Sequence, residues 1–427
     1  MTLNIVKAKT PAKAADVPIL QVNPARVAWV FPTLDRGYYW LPTLREFARL
    51  FPHSVLFTGA LPGPGADSAG DMQLHILRGA KTLVLKRHPN GYDRQLTFIP
   101  PFSIMWQLIR IRPRVIVTEQ FGLLTLYALL AKKLIGARVI LLCDGISPSI
   151  ACLKQSFRLA IRRLMGRRME ACICNTRESA QYFRTILGIA QTKIVQEPYL
   201  VPDVATLCAG SSTIPNMHTK GHPVFLFVGS LSERKGVRQL LEAATELRNR
   251  NVQFSLIIVG EGELRAELES FIAVNNLANF VVLAGEVRYE DLGAYFNACD
   301  VFVLPTLEDI WAMVVLEAMA FGKMVLCSAN AGAREVVQDG SCGWLFDPFD
   351  PHELAECMFR AIQDPAMVRA YGARSLETMK QYNPRKVAQL LAEVCNVVMN
   401  NDLDSLQSLG RAGYNVGAKA QSREATT

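Results

Sequence analysis

The chain has no paired CxxC cysteines, no secretion signal at its amino terminus and no apolar run long enough to cross a bilayer. Each absence excludes a class. The ten cysteines, among them Cys143, Cys152, Cys172 and Cys174, are scattered singly and mostly in apolar runs. They read as reduced core residues of a cytoplasmic protein, not as a disulfide framework or a zinc site. The opening "MTLNIVKAKTPAKAADVP" carries neither an apolar stretch nor a cleavage pattern and reads as a flexible leader over 1–25. The longest apolar segment, Phe121 to Leu130, soon meets Lys132 and Lys133, so it is too short to span a membrane. Cations interleaved with aromatics are also missing from any one element, which argues against a nucleic-acid partner. The folded part has no carboxylate pair spaced for a metal. The "DLD" at 402–404 falls in a polar, small-residue-rich tail (402–427) read as disordered, and is taken as chance composition.

What is present describes a large foldable chain. Its 427 residues exceed one ordinary core, so two domains are expected. A net charge of +8 points to an anionic partner such as phosphates, nucleic acid or an anionic membrane face. From Arg26 short β-branched runs alternate with amphipathic ones: strands at 26–31, 54–58, 82–85, 115–118, 138–142 and 172–174, helices around 40–50, 103–110, 121–135, 151–169 and 176–187. Strands apolar on both faces and separated by helices predict a parallel sheet covered on both sides. The Ser-, Thr-, Gly- and Pro-rich stretch 208–222 reads as a linker between an amino-terminal domain (26–207) and a carboxyl-terminal one (223–380). The second domain repeats the alternation with strands at 224–229, 255–260, 280–285, 301–305 and 324–328. Asn383-Pro384 then starts a helix (381–401) that can pack back on the amino-terminal domain. The fold class is α/β: two Rossmann-like doubly wound parallel-sheet domains, with a cleft between their strand ends.

Two loops carry candidate chemistry. In "EDIWAMVVLEAMAFG" (308–322), Asp309 lies just after a strand and Glu317 about one turn inside the following helix. Between them the amides of Ala312, Met313 and Val314 form a helix amino end, which attracts anions because its N–H groups lack partners and the dipole points at them. The competing reading makes Asp309 a helix cap and leaves Glu317 facing solvent. In "VGSLSERKG" (228–236), Gly229 ends a strand and Arg234 and Lys235 precede Gly236 at a helix start, a second phosphate cradle. "VGEGELR" (259–265) and "LAGEVRYEDL" (283–292) stand at equivalent strand ends, and the backbone around Val287 is placed to hold a base.

These motifs, in this order and followed by "NAGAREVVQDGSCGWLF", resemble the group 1, family-4-like retaining glycosyltransferases of the GT-B fold. The likeness is continuous over about 222–365 and one of topology over 26–205. It implies a deep interdomain cleft and a hexosyl transfer from a nucleoside diphosphate sugar to a hydroxyl acceptor, a glycan or lipid-linked intermediate in cell-surface polysaccharide or glycolipid synthesis. Lys235, helped by Arg234, would neutralise the diphosphate. Glu317 would hold the ribose hydroxyls, Asp309 the transferred sugar, and the Met313 and Val314 amides the distal phosphate. Lys235, Asp309 and Glu317 are thus the implied catalytic residues, with no metal and no cofactor. The rival readings are a sugar-nucleotide epimerase of the same architecture and an inactive membrane-surface scaffold.

Three positions depart from the family: Asp309 stands for Glu, Ala312 for Gly and Ser230 for Arg. In the first domain Gly37, in "FPTLDRGYYWLP", can permit close backbone approach, and no His occurs in "VILLCDGISPS" (139–149). Asp144 and Glu119 are the acceptor-side candidates there, with helix capping as the competing role. Finally, 154–168 places Lys154, Arg158, Arg162, Arg163 and Arg167 on one side and Phe157, Ile161, Leu164 and Met165 on the other. Such a helix either rests on anionic lipid, each cation adding ~1 kcal/mol, or packs its apolar side on its own sheet. The expected location is the cytoplasm, with the cytoplasmic face of a membrane as the alternative.

Overall fold

The computed structural model describes residues 22–32, 39–59, 72–77, 79, 81–86, 94–147, 151, 156–210, 222–338 and 341–409. Gly37, Cys152, Lys154, most of the leader and most of the 208–222 linker lie outside the described residues.

The first sheet contains β1 (Val27–Phe31), β2 (Val55–Thr58), β3 (Gln73–Ile76), β6 (Val115–Glu119), β7 (Arg138–Cys143), β8 (Ala171–Cys174) and β9 (Ile194–Gln196), with β4 (Lys81–Lys86) and β5 (Arg94–Phe98) forming a separate antiparallel hairpin. Its order is β3-β2-β1-β6-β7-β8-β9, parallel throughout. The run at 82–85 therefore belongs to the hairpin and not to the parallel sheet. β1, "VAWVF", is buried at every residue, as a strand covered on both faces must be. On one face lies α1 (Leu41–Leu50); α2 (Pro101–Ile111), α3 (Leu123–Ile135) and α4 (Ser156–Arg168) build a second apolar cluster with the sheet.

The second sheet contains β10 (Val224–Val228), β11 (Ser255–Val259), β12 (Val281–Gly285), β13 (Val301–Leu304), β14 (Met324–Ser328) and β15 (Gly343–Phe346), ordered β12-β11-β10-β13-β14-β15 and again parallel. Strand order reverses direction between β1 and β6 in one domain and between β10 and β13 in the other. At such switch points neighbouring loops diverge to opposite faces and leave a crevice at the strands' carboxyl ends.

The helix Pro384–Asn400 leaves the second domain and packs on α1 of the first. Asn383 caps its start by accepting from the Lys386 amide at 3.1 Å, and Asn23 donates from Nδ2 to Asn396 Oδ1 at 2.7 Å. Leu391, Val394 and Val398 join a single buried cluster that includes Phe47 and Trp29 of the first domain and Phe302 and Met319 of the second. The polar tail read as disordered from residue 402 is instead structured as far as Leu409. Leu403–Ser405 form one tight turn and Leu406–Leu409 a short helix whose Leu406 is fully buried. Leu403 and Leu409 pack beside Leu406 on the same apolar cluster and hold the segment there.

Because Leu391 is 2 % exposed, Leu391→Ala should cost roughly 2–5 kcal/mol. Amide exchange in α1 should accelerate along with that in Pro384–Asn400; unchanged α1 protection would show that the carboxyl-terminal helix does not secure the first domain.

Candidate active site

The loops after β10 and β13 meet at the second domain's switch point. Gly236 adopts φ +68°, and a Cβ on it would lie 1.9 Å from the Pro305 carbonyl oxygen, so only glycine lets the cation loop press on the end of β13. The Arg234 carbonyl accepts from the Leu307 amide at 2.8 Å and the Thr306 hydroxyl at 3.0 Å. Gly229 adds a similar approach, since a Cβ on Gly260 would fall 1.9 Å from its carbonyl oxygen.

This packing delivers Lys235 Nζ to Asp309 Oδ2 at 2.6 Å, with Arg234 Nη1 at 3.6 Å from the same oxygen and 2.9 Å from the Glu308 carbonyl. The Asp309 side chain is 7 % exposed and the two cations 14 %. Burial alone would raise the Asp309 carboxyl. Lys235 and Arg234 outweigh it, and with the Trp311 amide at 3.3 Å from Oδ1 they hold it down to about 2. Asp309 is therefore a permanent carboxylate. It does not cap the helix: Ala312 takes the cap position and no side chain accepts there. In the first turn of Met313–Ala320, the amides of Met313 and Val314 have no intrahelical acceptor.

Glu317 faces inward, not toward solvent, and is 2 % exposed. Burial pushes its carboxyl up to about 7, moderated by the Tyr289 hydroxyl, which donates to Oε1 at 3.0 Å. Val287, two residues before Tyr289, is partly buried against the same cluster. Tyr289 also meets Tyr39 of the first domain edge to face, ring centroids 6.1 Å apart. Sequence reasoning missed Tyr289, although it stands inside the quoted loop 283–292; its signal is a tyrosine at a strand end otherwise built of charges.

The acceptor-side candidates Glu119 and Asp144 stand together at the carboxyl ends of the adjacent strands β6 and β7. Burial raises both carboxyls, and their mutual hydrogen bond and repulsion favour a shared proton. Tyr199 Oη donates to Asp144 Oδ1 at 2.7 Å, and Asn175 Nδ2 donates to the Asp144 carbonyl at 2.9 Å. Neither acid caps a helix: Gly122 holds the cap of α3. A Cβ on the next residue, Gly145, would lie 2.3 Å from the carbonyl oxygen of Ile310, Asp309's neighbour. The two domains thus touch beside the acid loop. Trp311 Nε1 reinforces this seam by donating to the Leu200 carbonyl at 3.0 Å, and Glu335 accepts from the Arg177 amide at 2.7 Å.

Two parallel-sheet Rossmann-like domains, joined at their strand ends around a basic loop and a helix amino end, define the GT-B class. Solved structures agree: HepE of Anabaena, in complex with UDP, superposes with a TM-score of 0.69 at 16 % identity, covering 87 % of this chain and 99 % of that one. The same protein in complex with UDP-glucose gives 0.64. Residues 214–378 match the family model for glycosyl transferases group 1, and residues 6–199 that for the glycosyl transferase 4-like domain. The chain belongs to the group 1 glycosyltransferases. Among curated relatives, alpha-D-kanosaminyltransferase of Streptomyces kanamyceticus is 29 % identical over 34 % of this chain and 38 % of its own. The lipopolysaccharide 1,2-N-acetylglucosaminetransferase of Salmonella typhimurium is 30 % identical over 40 % of this chain and 47 % of its own. The chain thus spans less than half the length of these relatives in the matched region.

Ala312 has φ 65° and ψ 65°, the left-handed region that Cβ disfavours, which gives the family's glycine at this position a physical reason. Ala312→Gly should raise stability by about 1 kcal/mol by relieving that strain. A lower melting temperature would show that the alanine methyl contributes more in packing than it costs in backbone strain.

Proposed function

We propose that this chain is a metal-independent retaining hexosyltransferase that uses a nucleoside diphosphate sugar and a hydroxyl acceptor, a glycan or lipid-linked saccharide of cell-surface synthesis. The observation that carries the reading is the convergence of Lys235 and Arg234 on Asp309 at the amino end of the Met313–Ala320 helix, with Glu317 buried one turn further on. UDP and UDP-glucose in HepE, and the polysaccharide chemistry in the name of the Salmonella relative, support it. The free, mostly buried cysteines of the described residues support a cytoplasmic location.

Asp309 pairs with both cations and offsets one of their two charges. An arriving diphosphate brings more negative charge and competes for Lys235 and Arg234, while the Met313 and Val314 amides meet its distal phosphate. Asp309, still ionised, is then released to accept from hydroxyls of the sugar. Glu317 accepts from the ribose hydroxyls alongside Tyr289. As the bond from the anomeric carbon to the phosphate oxygen breaks, charge grows on the phosphate where the cations and amides already point. The acceptor oxygen bonds to the anomeric carbon from the same face, and its proton passes to the departing phosphate. The Glu119–Asp144 pair lies across the seam, suited to hold the acceptor's hydroxyls. The domain contact at Gly145 and Ile310 excludes water from this space.

A thermal-shift panel of uridine, guanosine and adenosine diphosphate sugars should show stabilisation by at least one donor, and that donor should yield a glycoside. Lys235→Ala should lower turnover by about 10²–10³ while circular dichroism stays unchanged. A rate within a factor of two of wild type would remove the donor site.

A second test uses pH. Burial pushes Glu317 up to about 7, and hydroxyl donors from a bound nucleoside favour its ionised form. Donor binding should therefore release a proton, and affinity should rise between about pH 6 and 8. Glu317→Gln should flatten that profile; a flat profile in the wild type would contradict the assignment.

A further inference from the structure

Three neighbouring helices of the first domain turn apolar residues outward, where the outer surface of a doubly wound fold ordinarily turns polar ones. α2, α3 and α4 close one face of the seven-stranded sheet with inward residues such as Ile104, Leu108, Leu129 and Met165. A second stripe runs along each helix at spacings of three or four. α2 exposes Phe102, Trp106 and Ile109; α3 exposes Leu126, Leu130 and Leu134; α4 exposes Phe157, Ile161 and Leu164. These nine range from 36 to 87 % exposed. Of the apolar side of 154–168, then, Met165 packs on its own sheet while Phe157, Ile161 and Leu164 face out. Contact of α3 with both neighbours makes the three stripes one continuous surface.

Charge on the same helices has one sign. Arg110 on α2, Lys132 and Lys133 on α3, and five arginines on α4 stand on helices that carry no Asp or Glu of their own, although Lys132 pairs with Glu170 just beyond α4. The three helices have 11, 13 and 13 residues, in a chain where 38 of 427 residues are acidic. Arg110, Lys133, Arg163 and Arg168 are exposed. A second copy of the chain laid on this face would bring these cations against their equals. An anionic lipid surface would accept both the apolar stripes and the cations.

We propose that this three-helix face seats the protein on an anionic phospholipid bilayer, with the apolar stripes entering the headgroup–acyl boundary and the cations meeting lipid phosphates. The proposal does not depend on the transfer reading. Each helix runs antiparallel to the strand it covers, so Phe102 and Phe157, near the helix starts, lie toward the strands' carboxyl ends, where Glu119 and Asp144 stand. Seating on this face therefore lays the first sheet flat over the bilayer, with the acceptor side of the domain seam at the edge of the seated layer. No helix among the described residues is long and apolar enough to cross a membrane, so the attachment lies within one leaflet's surface.

The test is co-sedimentation of the full chain with vesicles of phosphatidylcholine alone or with about 30 % phosphatidylglycerol. Partitioning should be at least about ten-fold greater on the anionic vesicles and should weaken as salt rises. The triple variant Trp106→Ser, Phe157→Ser, Leu164→Ser should lose about ten-fold of that binding while its melting temperature holds. Arg110→Glu with Lys133→Glu should lose it too, and without touching the apolar stripe. Equal, weak partitioning of the wild type on both vesicle types would overturn the proposal, as would full retention in the triple variant. So would a wild-type dimer that the triple variant converts to monomer with no lipid binding in either, which would assign the face to self-association.

Discussion

The ion pair between Lys235 and Asp309 is the constraint on which the site depends. Two cations and a carboxylate, nearly all out of water, are tolerable because the carboxylate offsets one of the two positive charges and the Glu308 carbonyl and Trp311 amide add hydrogen bonds. Glycine at 236 makes the approach possible, and the Arg234 carbonyl ties it down through Thr306 and Leu307. The result is preorganised positive charge at a helix amino end, balanced by one acid that a stronger anion can displace. A site of this kind holds its electrostatics ready before a ligand arrives.

The rest of the fold brings a second domain to that charge. The two switch points face each other, and contact at Gly145 and Ile310, Trp311 and Leu200, and Tyr39 and Tyr289 joins them. The helix Pro384–Asn400 closes the arrangement by returning to α1, so a single buried cluster runs through both halves. Opening the seam must therefore bend around a helix that belongs to both domains. Across the seam lie acids in three different states: Asp309 firmly ionised, Glu317 poised near 7, and Glu119 with Asp144 raised by burial and by each other. One chain of carboxyls thus provides acceptors of different strength, set by neighbours and not by residue type.

Much of this was legible in the sequence because it follows from short-range pattern. Buried parallel strands read as apolar runs, and a strand, a turn and adjacent Arg234 and Lys235 read as an anion cradle without knowing what faces it. What pairs with what was not legible. That Lys235 binds Asp309, that Tyr289 supports Glu317 and that Gly145 touches Ile310 depend on chain segments tens to hundreds of residues apart. Short or polar edge strands such as β3, "QLHI", and β9, "IVQ", lack a period long enough to see. The turn at Leu403–Leu409 rests on Leu403, Leu406 and Leu409, three apolar residues at spacings of three in an otherwise polar stretch. On α4 the apolar side was legible but its orientation was not: the sheet takes Met165 and leaves Phe157, Ile161 and Leu164 outside.

The central claim is that Lys235 and Arg234 exchange Asp309 for a diphosphate. Calorimetric titration of nucleoside diphosphates into wild type and Asp309→Asn measures that exchange directly. With the competing carboxylate gone, the variant should bind the diphosphate several-fold more tightly, each factor of ten being about 1.4 kcal/mol. Weaker binding to Asp309→Asn would contradict it, because the acid would then be supporting the anion site and not occupying it.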